Sequence, residues 1–243
     1  MPVLLAVLPH PDDESYAMGG TLARCVDAGV DVHLLCLTRG EKGLDLVAGR
    51  AGDALKAARV EELHASCAAL GLAAPTVLDY ADGRLERVHA REGVAAIAEV
   101  VARVGADAVV TLGPDAVYGH KDHHIATRWV SHLEVGRVLH AVFPAGMFEP
   151  MYRWLWGRRF PYVAPGMRKE HFGTTRDAVD LVVDVRSVEA RKRASMAAHA
   201  TQCGGDADAL LPVDTTPLMS EEWFVVARGA ALPDGAVLPT DGL

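Results

Sequence analysis

Short apolar runs alternate with longer segments of helical periodicity along the first two thirds of the chain. Apolar runs rich in β-branched residues predict strands at Val3–Leu8, Val30–Leu37, Val77–Tyr80, Ala108–Leu112, Val138–Phe143, Val179–Val185 and Trp223–Ala227. Apolar positions at helical spacing predict helices at Glu14–Gly29, Asp53–Leu70, Gly93–Val104, His123–Leu133 and Val188–His199. This alternation predicts an α/β fold: a Rossmann-like, open and mostly parallel sheet with helices on both faces.

The segment Phe143–Val163 interrupts this alternation. It concentrates Phe, Tyr and Trp side chains, Trp154 and Trp156 among them, whereas aromatic residues make up 6% of the whole chain. We expect a lid near the active-site mouth or a subunit contact in a homo-oligomer, because interfaces are rich in Trp, Tyr, Met and Arg. A segment packed over the core and a membrane-surface patch are the alternatives.

Length and composition narrow the class of protein. At 243 residues with no internal repeat or linker, residues 1–243 are predicted to form one domain. The net charge of -8 argues against a nucleic-acid partner, which requires a basic face. The cysteines are scattered, which favours reduced core thiols. No apolar stretch reaches the ~18 residues of a membrane-spanning helix, so we expect a cytoplasmic protein without an integral membrane segment.

Chemistry-bearing residues follow the first predicted strand directly. The sequence His10-Pro11-Asp12-Asp13-Glu14 stands where a nucleotide-binding Rossmann protein has a glycine-rich turn. Adjacent carboxylates repel one another, and a divalent metal is the simplest compensation. His10 and Asp13 lie three residues apart at a strand-to-helix junction, where both can turn to one ion. In the alternative, the acidic residues only complement the dipole of the next helix, which leaves His10 unexplained.

A second cluster, Tyr118-Gly119-His120-Lys121-Asp122-His123-His124, follows the fourth predicted strand. Loops at the carboxyl ends of parallel strands share one crevice, so the two clusters can meet there. One imidazole from the second cluster would complete a set of two histidines and one carboxylate, with positions open for water and substrate. Such a set suits catalytic zinc and also non-haem iron, so the ligand types alone do not fix the metal.

Both clusters resemble motifs of the LmbE-like, or PIG-L, deacetylases. Pro9 to Glu14, with Gly19-Gly20-Thr21 downstream, resembles the opening motif, and Gly119 to His123 resembles the second motif, G-H-P-D-H. Looser matches are Thr38–Glu41, Arg59–Leu63, Leu70-Gly71, Asp82-Gly83, Lys192 and His199–Gln202. Within the second motif, Lys121 replaces the usual proline and His124 adds an imidazole. The resemblance covers most of the chain and implies the LmbE-like deacetylase fold.

The resemblance also implies a metal centre. It implies a zinc ion held by His10, Asp13 and His123, with Fe²⁺ or another divalent metal as the alternative. Asp12 is the implied general base, because it is adjacent to a ligand and can reach a zinc-bound water without filling a coordination position. His124 leaves a second choice for the third ligand, and the register of the motif favours His123.

Further roles follow from the same resemblance. His120 is expected to donate to the oxyanion or to protonate the leaving amine, Asp122 to orient a histidine, and Tyr118 to offer its hydroxyl to the oxyanion. The positions that match substrate contacts are Arg59, Asp82 and, more weakly, Glu41. The alternatives are a surface ion pair with Glu61 or Glu62 for Arg59 and a simple turn for Asp82.

The implied reaction is the metal-dependent removal of an acetyl group from an N-acetylglucosaminyl conjugate or a related N-acyl sugar. The conjugates of the mycothiol and bacillithiol pathways are candidate substrates, and the sequence does not identify the aglycone. A non-haem iron enzyme and a non-catalytic metal- or sugar-binding protein are the alternatives. Asp12 argues against the binding protein, since a binding module has no need of a spare carboxylate beside its ligands.

Overall fold

The computed structural model describes residues 1–151, 153, 172–211 and 213–243. Its strands are β1 Val3–Leu8, β2 Asp31–Thr38, β3 Thr76–Tyr80, β4 Ala108–Leu112, β5 Arg137–Val142, β6 Leu181–Asp184 and β7 Glu221–Gly229. Its helices are α1 Asp13–Asp27, α2 Gly52–Leu70, α3 Ala90–Val104, α4 Lys121–Val130, α5 Glu189–Ala198 and the short α6 Ala200–Cys203. Single 3-10 turns occur at Leu85–Arg87, Arg176–Ala178, Arg186–Val188, Ala207–Ala209 and Thr216–Met219. This order confirms the predicted α/β fold.

The strands form one seven-stranded sheet in the order β3-β2-β1-β4-β5-β7-β6. The strands β1 to β5 are parallel to their neighbours, and β7 runs antiparallel to both β5 and β6. The chain therefore winds outward from β1 to β3 and returns to β4 and β5 on the other side of β1. Strand β6 then lies at the edge of the sheet, and β7 returns to lie between β5 and β6. A mostly parallel sheet is confirmed.

The two faces of the sheet are covered by different helices. On one face, Leu4, Ala6 and Leu8 of β1 pack with apolar residues of α1, α2 and α5. On the other face, Leu5 and Val7 of the same strand pack with residues of α3 and α4. This alternation follows from the strand geometry, which directs successive side chains to opposite faces. Helices on both faces are thus confirmed.

Several predicted boundaries shift by a few residues. The second strand begins at Asp31 and not at Val30, and β7 extends on both sides of Trp223–Ala227. The helix predicted from His123 begins at Lys121, because His120 caps it. Lys121 is thus the first helical residue, a position where proline is favoured in helices. A lysine in place of the motif's proline is therefore compatible with the same helix start.

Two aromatic residues at the start of the aromatic segment are packed on the core. Phe143 and Phe148 are buried, and their rings meet edge to face with centroids 4.9 Å apart. Trp154, Trp156, Arg158, Arg159, Phe160 and Tyr162 lie outside the described residues, so the predicted lid or subunit contact stays a prediction. Among the described residues, no helix is long and apolar enough to cross a membrane. All four cysteines are buried free thiols, as expected.

Candidate active site

The sheet order brings the two sequence clusters to one place. Because β1 lies between β2 and β4, the chain changes winding direction there. Open α/β sheets bind ligands at such a point, beyond the carboxyl ends of the strands. His10 follows the end of β1, while Tyr118, His120 and His123 follow the end of β4. The predicted meeting of the two clusters is therefore observed.

His10 presents its two ring nitrogens to different groups. Its Nδ1 lies 3.3 Å from Asp13 Oδ2 and 3.3 Å from His123 Nε2. Its Nε2 lies 3.1 Å from Asp82 Oδ1 and 3.4 Å from Asp122 Oδ2. A proton on Nε2 serves both of these carboxylates and directs the Nδ1 lone pair toward Asp13 and His123. Metal-binding histidines commonly have such a carboxylate partner on the far nitrogen.

His123 has the complementary orientation. Its Nδ1 lies 3.1 Å from the Ala116 carbonyl oxygen, so this nitrogen donates and Nε2 is left as an acceptor. That Nε2 lies 3.3 Å from Asp13 Oδ1. His10 Nδ1, His123 Nε2 and the Asp13 carboxylate are thus pairwise 3.3 Å apart. Tetrahedral ligand atoms at about 2.0–2.1 Å from zinc are about 3.3 Å from one another, so the three groups fit a metal ion.

The charge balance of this cluster favours a cation. Burial lowers the pKa of His10, but Asp82, Asp122 and Asp13 outweigh burial and hold that pKa well above its ordinary value. Burial raises the pKa of Asp13, but His123 and His10 outweigh it and hold that pKa well below its ordinary value. The carboxylates therefore draw positive charge from histidines, and a bound divalent cation would supply that charge directly.

Among the described residues, two sets of three side chains that do not include Asp13 also bring their ligand atoms close enough together to hold an ion. They are His10 with His120 and His123, and His10 with Asp82 and Asp122. Both sets share His10 and therefore belong to the same site. The centroids of the three imidazole rings lie between 4.8 and 5.2 Å apart.

Asp12 lies beside the cluster, held by Arg59. Arg59 Nη2 donates to Asp12 Oδ2 at 2.9 Å and to the Pro11 carbonyl, and Nη1 donates to the Gly40 carbonyl at 2.7 Å. Arg59 is only 3% exposed, so the alternative of a surface ion pair with a helix glutamate is wrong. Burial raises the pKa of Asp12 to about 6, although Arg59 lowers it. The close approach explains Gly40, where a side chain would collide with the guanidinium.

Asp82 and Glu41 connect the loops that follow β3 and β2. Asp82 Oδ2 accepts a hydrogen bond from the Lys42 backbone at 2.9 Å, and Glu41 Oε1 accepts one from the Asp82 backbone at 3.0 Å. Asp82 is buried and lines the cavity, whereas Glu41 is not among the lining residues. Asp82 is therefore more than a turn residue, because its carboxylate also faces His10. Contact of either residue with substrate stays a prediction.

Asp122 is wholly buried below the cavity. Its carboxylate accepts hydrogen bonds from the backbones of Gly83 at 2.7 Å and Leu85 at 3.1 Å. The same carboxylate faces His10, so the histidine next to it is His10 and not its neighbour in the motif, His120. These bonds fix the loop after β3 against the start of α4.

His120 and Tyr118 are the candidate donors at the cavity wall. His120 Nδ1 accepts a hydrogen bond from the Asp122 backbone at 3.2 Å, which assigns the ring proton to Nε2. Burial and the neighbouring histidines lower the pKa of His120 well below its ordinary value, so the ring is neutral. Burial raises the pKa of Tyr118, so its hydroxyl keeps its proton. Both side chains line the cavity and are able to donate.

A buried polar network below the site has a weaker sequence signal. Glu14 Oε1 accepts hydrogen bonds from His199 Nε2 at 2.6 Å and from the Ser66 hydroxyl, and Oε2 accepts from the Asp12 backbone at 3.0 Å. Ser66 Oγ lies 2.6 Å from Ser195 Oγ. Glu14 and His199 belong to stretches that match family motifs, and no sequence signal marks Ser66 or Ser195. The network holds the backbone of Asp12.

The cavity joins the predicted residues with others from distant segments. Its lining consists of His10, Asp12, Asp13, Tyr16, Lys42, Gly43, Arg59, Asp82, Tyr118, His120, Met151, Gln202, Leu210 and Leu211. Leu210 and Leu211 come from a part of the chain that carries no motif, whereas Met151 belongs to the segment Phe143–Val163, for which a lid near the active-site mouth is predicted.

The chain matches a known family and known relatives. The sequence model described as "PIG-L: GlcNAc-PI de-N-acetylase" matches residues 5–133, more than half of the chain. A 1D-myo-inositol 2-acetamido-2-deoxy-alpha-D-glucopyranoside deacetylase of Mycolicibacterium smegmatis is 32% identical over an alignment 272 positions long, which covers 96% of this chain and 92% of that protein. The chain belongs to the PIG-L family. The matched range contains both clusters of the candidate site.

Solved structures agree with this membership at the level of the fold. The PIG-L chain resembles N,N'-diacetylchitobiose deacetylase from Pyrococcus horikoshii with a TM-score of 0.61 at 20% identity, covering 92% of this chain and 83% of that one. It also resembles the hydratase GalB from Pseudomonas putida with a TM-score of 0.68 at 17% identity, covering 97% and 100%. One fold thus carries two reaction types, so the fold alone does not identify the reaction.

Proposed function

We propose that this protein is a metal-dependent N-deacetylase that hydrolyses the acetamide of an N-acetylglucosaminyl conjugate. The observation that carries the proposal is the convergence of His10, Asp13 and His123 beside the carboxylate of Asp12. The relative from Mycolicibacterium smegmatis is named for deacetylation of an inositol glycoside of N-acetylglucosamine. That inositol conjugate is therefore the first substrate to test.

His10, Asp13 and His123 are the proposed ligands of a zinc ion. When bound in such a site, zinc lowers the pKa of a water molecule toward ~7 and polarises a carbonyl oxygen. The ligands are oriented before any ion binds: Asp82 and Asp122 face the far nitrogen of His10, and Tyr16 donates to Asp13 Oδ1 at 2.7 Å. The same ligand set suits Fe²⁺, so metal analysis is part of the test.

Asp12 is the proposed general base. Arg59 engages its Oδ2, and Oδ1 forms no hydrogen bond within the described part of the chain. With its pKa near 6, Asp12 is ionised at neutral pH and still basic enough to take a proton from water. As the water oxygen bonds to the amide carbon, its proton moves to Asp12. Asp12 then passes the proton to the nitrogen as the C–N bond breaks, which releases the amine and acetic acid, and the acid ionises to acetate in solution.

His120 and Tyr118 are the proposed donors to the amide oxygen. Negative charge develops on this oxygen when the water attacks, and preorganised donors in a water-poor site stabilise it. A neutral His120 with its proton on Nε2 and a protonated Tyr118 both present an N–H or O–H and carry no charge. Neither group needs to change its protonation state during the reaction.

The test measures metal content and amine release together. The protein is stripped with a chelator, reloaded with Zn²⁺ or Fe²⁺, and offered the inositol conjugate, N-acetylglucosaminyl malate and free N-acetylglucosamine. We expect one metal per chain and release of the free amine from a conjugate only after reloading. A fully loaded protein that releases amine from none of the three overturns the proposal. A preference for malate over inositol changes the substrate and leaves the reaction unchanged.

A further inference from the structure

The turn between β4 and α4 holds two consecutive residues in an unfavourable backbone conformation. Ala116 and Val117 have positive φ angles of 56° and 67°. Val117 combines this φ with a ψ of -64°, the region of the rare and strained γ-turn, which is costly for a β-branched residue. Both side chains are fully buried. Such a conformation persists only where the surrounding structure holds it in place.

The strained turn determines how His123 is oriented. The carbonyl oxygen of Ala116 lies 3.1 Å from His123 Nδ1 and fixes the ring proton there. The acceptor Nε2 consequently faces His10 and Asp13. A relaxed backbone at Ala116 would turn this carbonyl away, and the His123 ring would lose the partner that selects its tautomer.

Asp115 is the side chain that holds the turn. Its Oδ1 accepts a hydrogen bond from the Val117 backbone at 3.2 Å, and its Oδ2 accepts one from the Gly173 backbone at 2.9 Å. Gly173 lies so close to the backbone of Ala145 that a side chain there would collide with it. The next residue, Thr174, donates from its backbone to the Phe143 carbonyl at 2.7 Å. The carboxylate thus anchors the strained turn to the chain beyond β5.

We propose that Asp115 is a positioning residue of the active site, which acts through the Ala116–Val117 turn to set the tautomer and direction of His123. The inference rests on the proposed function only in treating His123 as a metal ligand. A competing explanation is that Asp115 merely fastens Gly173 and contributes to folding. The two explanations differ in what happens when the turn itself is relieved of strain.

The first experiment measures zinc affinity by competition with a chelator. We expect Asp115→Ala to weaken zinc binding by about tenfold, the lower end of the ~10–100-fold range for residues that support a ligand. Asp184→Ala is the matched control, because Asp184 also accepts a backbone hydrogen bond from two residues on, at 3.0 Å from Arg186, and it lies at the end of the edge strand β6, whose residues do not line the cavity. The control should bind zinc as the parent does.

A rescue variant separates positioning from folding. Adding Ala116→Gly to Asp115→Ala places at φ 56° a residue that adopts this angle freely, so the turn loses the part of its strain that lies at Ala116 and depends less on the carboxylate. We expect the double variant to regain part of the lost zinc affinity. A residue that only fastens Gly173 would show no such rescue, and that result overturns the proposal.

The second experiment needs neither metal nor substrate. Nitrogen-15 NMR of the metal-free protein, assigned with His123→Gln, reports which ring nitrogen of His123 carries the proton. We expect the Nδ1–H form in the parent and a mixture of tautomers in Asp115→Ala. If Asp115→Ala does not fold, Asp115→Asn, which keeps one acceptor oxygen, should show a smaller change in the same direction. An unchanged tautomer in a folded variant overturns the proposal, whereas failed deacetylation by the parent overturns only the proposed function.

Discussion

Two buried clusters of charge lie in this protein, and they are balanced in different ways. Between α1, α5 and β7, Lys192 and Glu222 are both wholly buried and form an ion pair at 2.5 Å. At the carboxyl ends of β1 and β4, Asp13, Asp82 and Asp122 surround His10. The first cluster is neutral within the chain itself. The second holds more carboxylates than cations.

The hydrogen bonds of the two clusters show the same difference. The ammonium of Lys192 donates to two backbone carbonyls besides Glu222, and Glu222 accepts from two backbone amides of α1; these groups belong to Tyr16, Leu218, Gly20 and Thr21. In the site, His10 Nδ1 and His123 Nε2 face each other and Asp13, while Asp82 and Asp122 face the far nitrogen of His10. A buried polar cluster whose charges are neutralised by groups of the chain itself is structural, whereas one whose charges need a bound cation for neutrality is a binding site.

The largest effect is expected from removing a proposed metal ligand from the cluster around His10. His123→Ala should weaken zinc binding by more than ~100-fold, beyond the range for residues that only support a ligand, and deacetylation should be lost with the metal. His124→Ala is the control, since the neighbouring imidazole is not among the groups that could hold an ion in the described chain. Metal analysis of both variants checks this. Loss of zinc in His124→Ala with retention in His123→Ala would show that His124, and not His123, is the third ligand.

A large effect on rate alone is expected at Asp12. Asp12→Asn keeps the shape and a partner for Arg59 but removes the base, so kcat should fall by ~10²–10⁴ while the metal stays bound. Asp79→Asn, which alters an exposed ion pair with Lys56, serves as a control with unchanged kcat. Steady-state kinetics and metal content are measured on the same samples. A zinc-free Asp12→Asn would make Asp12 a ligand, and a normal kcat would remove it from the mechanism.

Substitutions in the Lys192–Glu222 pair should change the stability of the fold and leave metal binding unchanged. Lys192→Met leaves the Glu222 carboxylate buried without a cation, which should lower the free energy of unfolding by ~3–5 kcal/mol. Adding Glu222→Gln removes the stranded charge and keeps an acceptor for α1, so the double variant should be more stable than Lys192→Met. Urea denaturation of the metal-free proteins measures both. A double variant less stable than Lys192→Met would contradict the view that Lys192 serves to neutralise the buried charge of Glu222.

Much of the fold follows from local sequence pattern. β1 and β4 have the predicted bounds, because a fully buried strand is a continuous apolar run between polar turns. The pairing of β7 between β5 and β6 could not be predicted, since it depends on contacts between segments far apart in sequence. The residues that follow β1 and β4 were found because two strong motifs stand at predictable ends of strands.

The supporting residues of the site escaped prediction for a different reason. Asp115 precedes Ala116 and Val117, and neither of these residue types indicates a positive φ, so the strained turn has no signature in the sequence. Ser66 lies on a helix face among ordinary core residues, and its bond to Glu14 exists only after α2 packs against α1. Such roles arise from tertiary packing and not from local preference.

Arg137 provides a third kind of buried charge and the smallest expected effect. Its side chain is fully buried and donates to backbone carbonyls of the C-terminal tail: Ala230 and Ala231 at 2.7 Å, Pro239 at 2.8 Å and Asp241 at 2.9 Å. A planar guanidinium can serve all four, whereas an ammonium is a single point with three donors. Arg137→Lys keeps the charge and leaves carbonyls unpaired, which should cost ~1–3 kcal/mol. Hydrogen exchange should speed up over residues 230–243 and stay unchanged over residues 10–14, since the tail and the site share no contact through Arg137. Faster exchange in both regions would mean that the tail supports the cavity. Structural buried charges and the binding site around His10 would then not be independent of each other.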